Sequence, residues 1–149
     1  MTNHHAMNLA SQCAQSLFER DQASQAMGMR LLSVAPGVAR LGMSVGAHML
    51  QGHGTCHGGY LFALADSAFA FACNSYNEAT VAIGCSIDYI APAHLGDTLT
   101  ADCTEQSRSG RTGNYDVRIE NQNGQLIALF HGKSYKVRGP VLTQETPNE

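Results

Sequence analysis

The segment GGYLFALADSAFAFACNS, residues 58–75, is too apolar to lie on a protein surface. Leu61, Phe62, Leu64, Ala65, Ala68, Phe69, Phe71 and Ala72 cover every side of a helix. A helix that is apolar all round is a buried one. The spacing therefore predicts a central helix around which the rest of the chain must wrap. It does not predict a membrane span. No apolar run reaches the roughly 18 residues that a span needs, and this one contains Asp66.

The flanks have a different period. Upstream, Met29 to Val34 and Val38 to Val45 are two β-rich runs joined by Pro36-Gly37, which reads as a hairpin. Before them, residues from about Ala10 to Ala26 read as a helix that Gly28 stops. Downstream, four strands are expected at Thr80 to Ile90, Thr98 to Gln106, Asn114 to Glu120 and Gln125 to Val137. The turns between them are Pro92 to Asp97, Ser107 to Gly113 and Asn121 to Gly124. From Gly139 a polar tail is expected to fray. Residues 1–149 thus read as one α+β domain, with a long antiparallel sheet wrapped around one helix. Such a sheet has open edges, and pairing with a second copy is one way to protect them.

Composition narrows the function. The chain has 149 residues, about the length of one domain, and can bury roughly two thirds of its surface. Hydrophobic residues make up 44% and charged ones 14%, against roughly 25% charged in an average protein. This excludes intrinsic disorder. The net charge of −3 offers no basic field for a nucleic acid. The start, MTNHHAMNLASQ, has neither the basic nor the apolar region of a signal peptide. The five cysteines (Cys13, Cys56, Cys73, Cys85, Cys103) are odd in number and scattered, and read as free thiols of a cytoplasmic protein.

Asp66 is the sharpest chemical signal, being the only charged residue between His57 and Tyr76. An unpaired carboxylate is costly to bury. It is either a structural hydrogen-bonding group or a general base or nucleophile in a semi-dry site. His57-Gly58-Gly59 is the second signal, at the mouth of the helix. The glycines either make a tight turn or let a ligand oxygen approach the free N–H groups of the first turn. Asp66 follows Gly58 by two helical turns, roughly 12 Å, too far for both to act on one carbonyl within one chain. His53, Cys56 and His57 resemble a metal set, but a fourth ligand is missing and no metal is expected. Adjacent Cys56 and His57 are poorly placed to act as a nucleophile and its base. Arg108, Arg111, Lys133, Lys136 and Arg138 are either a solvated face or a small phosphate site for a nucleotide-bearing ligand.

Four segments, QGHGTCHGGYLFALADSAFAFACN (Gln51 to Asn74), SIDYIAPAHLGDTLTA (Ser86 to Ala101), GRTGNYDV (Gly110 to Val117) and ALFHGKSY (Ala128 to Tyr135), together resemble the hotdog-fold acyl-CoA thioesterases of the phenylacetate-degradation (PaaI) type. The resemblance runs from about residue 10 to 138. It implies a six-stranded sheet around the central helix, and a homodimer in which two sheets join, usually doubled into a tetramer. Two sites per dimer would lie at the subunit interface. Gly58 would carry the N–H that polarises the thioester. Asp66 of the other subunit would be the nucleophile or general base, and His57 would orient the thioester. Gln51 stands where the family usually has Asn. The resemblance implies no cofactor, since coenzyme A arrives as part of the substrate, with its phosphates near Arg108, Arg111 or Lys133.

The expected activity is hydrolysis of an acyl-CoA to free acid and CoA, with an aromatic (hydroxy)phenylacetyl group. A medium-chain acyl-CoA thioesterase is the nearest rival. A non-catalytic acyl-CoA sensor would need a partner domain for which the chain has no room. A purely structural oligomer would leave the lone acid unexplained. A hydratase on the same fold would favour a His paired with an acid on a separate strand, a pair not visible in the sequence.

Overall fold

The computed structural model describes residues 3–143. Along the chain come α1 (His4–Arg20), α2 (Gln22–Ala26), β1 (Arg30–Ala35), β2 (Val38–Ser44), a short 3-10 turn (Ala47–Met49), α3 (Gly58–Cys73), β3 (Thr80–Tyr89), β4 (Thr98–Ser109), β5 (Thr112–Glu120) and β6 (Leu126–Lys136). The six strands form one antiparallel sheet in the order β1-β2-β4-β5-β6-β3. Helix α3 touches every strand. This is the expected α+β hotdog arrangement, a sheet wrapped around a long helix.

Alternation along the strands sets the register. Leu41, Ala101, Ile119, Ala128 and Tyr89 are successive partners across β2, β4, β5, β6 and β3. The first four are fully buried. A slip of one residue would send all of them to the outer face. Small side chains at Ala101 and Ala128 let the helix approach, and aromatic rings fill the remaining space. Phe69 of α3 lies 5.4 Å from Tyr115 and 6.0 Å from Phe130, centroid to centroid. Phe62 lies 5.4 Å from Phe130.

Both ends of α3 are tied down. At its start the His57 side chain accepts from the Gly59 N–H. At its end buried Asn74 donates to the carbonyls of Ala70 and Thr80 and accepts from the Thr80 N–H, which joins the helix to β3. Ser75 Oγ donates to Ala72 O and accepts from the Gly37 N–H, pinning the first hairpin to the same end.

The structure departs from expectation in four places. The N-terminal helix begins at His4 rather than near residue 10, capped by Asn3, and it breaks at Asp21. Asp21 caps a second helix, accepting from Ser24 N and Ser24 Oγ. Strand β4 runs on to Ser109, three residues past its expected end, leaving Gly110-Arg111 as the turn. Residues 139–143 do not fray. Val141 is buried, Gly139 O accepts from Ala79 N, and Leu142 N donates to Asn77 Oδ1. The rest of the expected tail lies outside the described residues. Finally, α3 is not covered all round. Gly59, Ala63, Asp66 and Ala70, spaced as one helical stripe, remain partly or fully exposed.

The sheet edges differ. Helix α1 packs against β1. Strand β3 is open on its far side, with Val81 47% and Ile83 54% exposed. No helix among the described residues is long and apolar enough to cross a membrane. All five cysteines are free, and only Cys85 is exposed.

Candidate active site

Gly58 is the first residue of α3, and His57 is its cap. The first N–H groups of a helix have no partner within it. Gly59 N–H solves this by donating to His57 Nδ1 at 2.8 Å. Gly58 N–H has no acceptor among the described residues. A nitrogen that accepts carries no proton, so the neutral His57 ring bears its hydrogen on Nε2 and offers a donor there. The start of α3 therefore presents two donors, the Gly58 N–H and the His57 Nε2–H, at the positive end of the helix dipole. That is an arrangement suited to oxygen carrying negative charge.

The two glycines have separate steric reasons. A Cβ on Gly59 would stand 3.0 Å from His57 Nδ1, in the way of the cap. A Cβ on Gly58 would stand 2.8 Å from Tyr89 Cζ. Tyr89 Oη also donates to Gly58 O at 3.1 Å. Sequence reasoning missed Tyr89, because it lies 31 residues away and only the strand register delivers it. Gly58, Tyr89 and Gln51 line one cavity of about 360 Å³, with Thr55, Cys56 and Leu61 among its walls. The Gln51 amide is engaged within its own loop, donating to Thr55 Oγ1 and accepting from the His53 N–H, both at 2.6 Å.

Asp66 lines a different cavity, about 250 Å³, with Asp21, Ser24, Met27, Met29, Ala63 and Ser67. It has no hydrogen-bond or ion-pair partner among the described residues. Burial pushes its carboxyl above the ordinary aspartate range, and the Asp21 charge adds to the rise. Asp97 shows the opposite case. It accepts from the His94 N–H and from Gln122 Nε2, and these bonds hold its pKa low. Asp97 is held by bonds of the fold, and Asp66 makes none among the described residues. The Asp66 cavity and the Gly58 cavity share no residue, so one chain does not bring the acid and the donors together.

Burial also raises the Cys56 thiol, whose sulfur faces the His57 carbonyl. That disfavours a thiolate nucleophile. Among the described residues no three His, Cys, Asp or Glu side chains cluster as a metal site would require.

The basic residues divide between the two faces of the sheet. Arg108 and Arg111 line a polar cavity with Glu78, Thr80, Ser134 and Lys136. Arg108 stacks on the Tyr76 ring at 3.5 Å and pairs with Glu78 and Glu105 at 3.9 Å. Arg111 Nη1 donates to Lys136 O. Lys133 lies on the other face, opposite Asn114 in the register. A bulge between Glu105 and Ser107 puts Arg108 on the helix side, opposite buried Gly113.

Residues 53–128 match the family described as Thioesterase superfamily. The chain belongs to that superfamily. This thioesterase is 46% identical over 132 residues to the acyl-coenzyme A thioesterase PaaI of Escherichia coli K12, covering 89% of this chain and 94% of that one. It superposes on the structure of the Escherichia coli PaaI protein of the phenylacetic acid degradation operon with a TM-score of 0.89 and 45% identity, covering 90% of this chain and 97% of that one. A Streptococcus pneumoniae protein described as a hypothetical thioesterase, solved with coenzyme A, superposes with a TM-score of 0.72 and 25% identity over 74% of this chain and 90% of that one. Asp66 and His57-Gly58-Gly59 both fall within the residues that match the family.

Proposed function

We propose that this thioesterase hydrolyses acyl-CoA thioesters to free acid and CoA, with an arylacetyl group such as (hydroxy)phenylacetyl as substrate. The observation that carries the reading is Asp66, a half-buried carboxylate on an apolar helix with no hydrogen-bond or ion-pair partner among the described residues. An acid held at a cost to the fold is what a functional group looks like. The similarity to a PaaI protein of a phenylacetic acid degradation operon, and to a thioesterase solved with coenzyme A, supports the substrate class.

The working unit in this reading is a homodimer, or a tetramer built from two dimers. The open β3 edge and the uncovered stripe on α3 support a second copy as their cover. Each site then takes Gly58, His57 and Gln51 from one chain and the partner subunit's Asp66. The thioester oxygen sits at the Gly58 N–H and the His57 Nε2–H. Asp66 takes a proton from water as the water oxygen bonds to the carbonyl carbon, or attacks that carbon directly. The carbonyl electron pair moves to the oxygen facing Gly58. When it returns, the C–S bond breaks and CoA leaves as thiolate. On the general-base route Asp66 passes its proton to that thiolate. On the direct route water hydrolyses the acyl–Asp66 anhydride, giving the free acid, the Asp66 carboxylate and the proton that the thiolate takes. The CoA phosphates lie near Arg108, Arg111 or Lys133. Of these Arg111 and Lys133 make no ion pair among the described residues. No metal or separate cofactor takes part.

A panel of CoA thioesters tests this, with free thiol release as the readout and Asp66→Asn as the blank. Phenylacetyl-CoA and hydroxyphenylacetyl-CoA should give the highest kcat/KM. A preference for octanoyl-CoA would move the enzyme to the medium-chain class. Tight binding of every thioester with no thiol release would make it a sensor.

A further inference from the structure

We infer that Tyr89 is a positioning residue for the oxyanion donors, an inference that rests on the role proposed above for Gly58. A helix that opens with two glycines has little to hold its first peptides, since glycine adopts most backbone conformations freely. Here the peptide between Gly58 and Gly59 is gripped at both ends. Its carbonyl accepts from Tyr89 Oη at 3.1 Å, and its N–H donates to His57 Nδ1 at 2.8 Å. The phenol ring also occupies the place where a Cβ of residue 58 would stand, 2.8 Å from Cζ and 2.9 Å from Oη. Tyr89, in the place it takes here, thus crowds any side chain at position 58 and limits the freedom that glycine brings.

The ring is itself well anchored at its backbone. Tyr89 closes β3 opposite buried Ala128, and the N–H groups of Ile90 and Ala91 both donate to Ile127 O. Its side chain, in contrast, is 52% exposed, so burial of the ring is not what keeps it there. The chain of contacts Tyr89 Oη–H, Gly58 C=O, Gly59 N–H, His57 Nδ1 has two consequences. It restrains the direction of the Gly58 N–H through the Gly58 backbone. It fixes the His57 tautomer that leaves a hydrogen on Nε2. Tyr89 touches no reacting atom in this scheme and acts through Gly58 and His57.

The test uses Tyr89→Phe, which keeps the ring and removes the hydroxyl, and Tyr89→Ala, each with and without Gly58→Ala. Steady-state thiol release from phenylacetyl-CoA is measured per folded chain, with thermal unfolding as control. Tyr89→Phe should lower kcat roughly 3–10-fold, the range of one net hydrogen bond, with KM within about twofold of wild type. Gly58→Ala should cost far more turnover beside Tyr89 than in the Tyr89→Ala background. Amide exchange at Gly59, which needs no substrate, should accelerate in Tyr89→Phe. Wild-type kcat in Tyr89→Phe overturns the inference. So does a change confined to KM and acyl preference, which would make Tyr89 a wall of the acyl pocket. An equal penalty for Gly58→Ala in both backgrounds, or unchanged exchange at Gly59, overturns it as well. Full turnover in Asp66→Asn would instead strike at the catalytic reading and leave the exchange result to decide the role of Tyr89.

Discussion

Replacing Asp66 with Asn should cost the enzyme its turnover and the fold nothing. Loss of a general base lowers kcat by roughly 10²–10⁴-fold, and the isosteric amide leaves KM nearly unchanged. Stability follows from what the carboxylate touches. It has no bond to lose, while burial and the Asp21 charge both oppose its ionisation. The folded chain therefore holds this proton more tightly than the unfolded chain does. Stability falls as pH rises from the ordinary aspartate range through the raised folded value, and stays lowered above it. Asn carries no charge and escapes that fall. At pH 8 the variant should be as stable as wild type or slightly more so, with an equal or higher Tm. At pH 3, where the wild-type acid is also neutral, the gain should vanish. Thiol release and thermal unfolding at both pH values, at one protein concentration, measure the two halves. Near wild-type turnover would remove Asp66 from the mechanism. A Tm below that of wild type at pH 8 would show a carboxylate that holds the fold.

Asp21→Asn keeps an α2 cap but removes a charge that lifts Asp66, so the acid limb of the pH–kcat/KM profile should move to lower pH; an unmoved limb would place the two acids out of reach of one another. Refolding an equimolar mixture of Asp66→Ala with a bulky Gly58 variant should make about half the dimers mixed, each with one intact site, and restore roughly a quarter of wild-type sites. Mixed dimers that form but stay inactive would refute the shared site. Arg111→Ala should raise KM for a CoA thioester roughly tenfold and much less for a truncated pantetheine thioester; equal effects would put the nucleotide elsewhere. Activity should survive exhaustive chelation, and loss with EDTA followed by rescue with zinc would restore the metal reading of His53, Cys56 and His57.

The central helix and its six strands were legible because their signals are local. Phe69, Phe71 and Ala72 share a short segment, and β5 and the first half of β4 alternate strictly. Asp66 stood out because it is the one charged residue on an otherwise apolar helix, although Asp21, Ser24, Met27 and Met29, which share its cavity, were not foreseen. The features that stayed hidden depend on distant or irregular contacts. The break at Asp21 lies in a stretch of Gln, Ala and Ser with no apolar period to interrupt. Val141 reads as part of a polar tail until a buried seat is found for it. The bulge after Glu105 turns Arg108 to the helix side, so spacing alone could not separate it from Lys133. Tyr89 reaches Gly58 only through the register of β3 on β6.

The open edge of β3 has a consequence for handling the protein at the bench. Val81 and Ile83 face outward on a strand whose outer hydrogen-bonding edge is unpaired, and the strand carries no lysine to discourage unwanted partners. A strand like this is safe only while something occupies it. With a second copy as the occupant, subunit concentration becomes a stabilising ligand and acts by mass action. Stocks kept concentrated should then outlast dilute ones. Specific activity should sag at the nanomolar dilutions common in thioester assays and return with added subunit. Chains released singly should precipitate before they unfold.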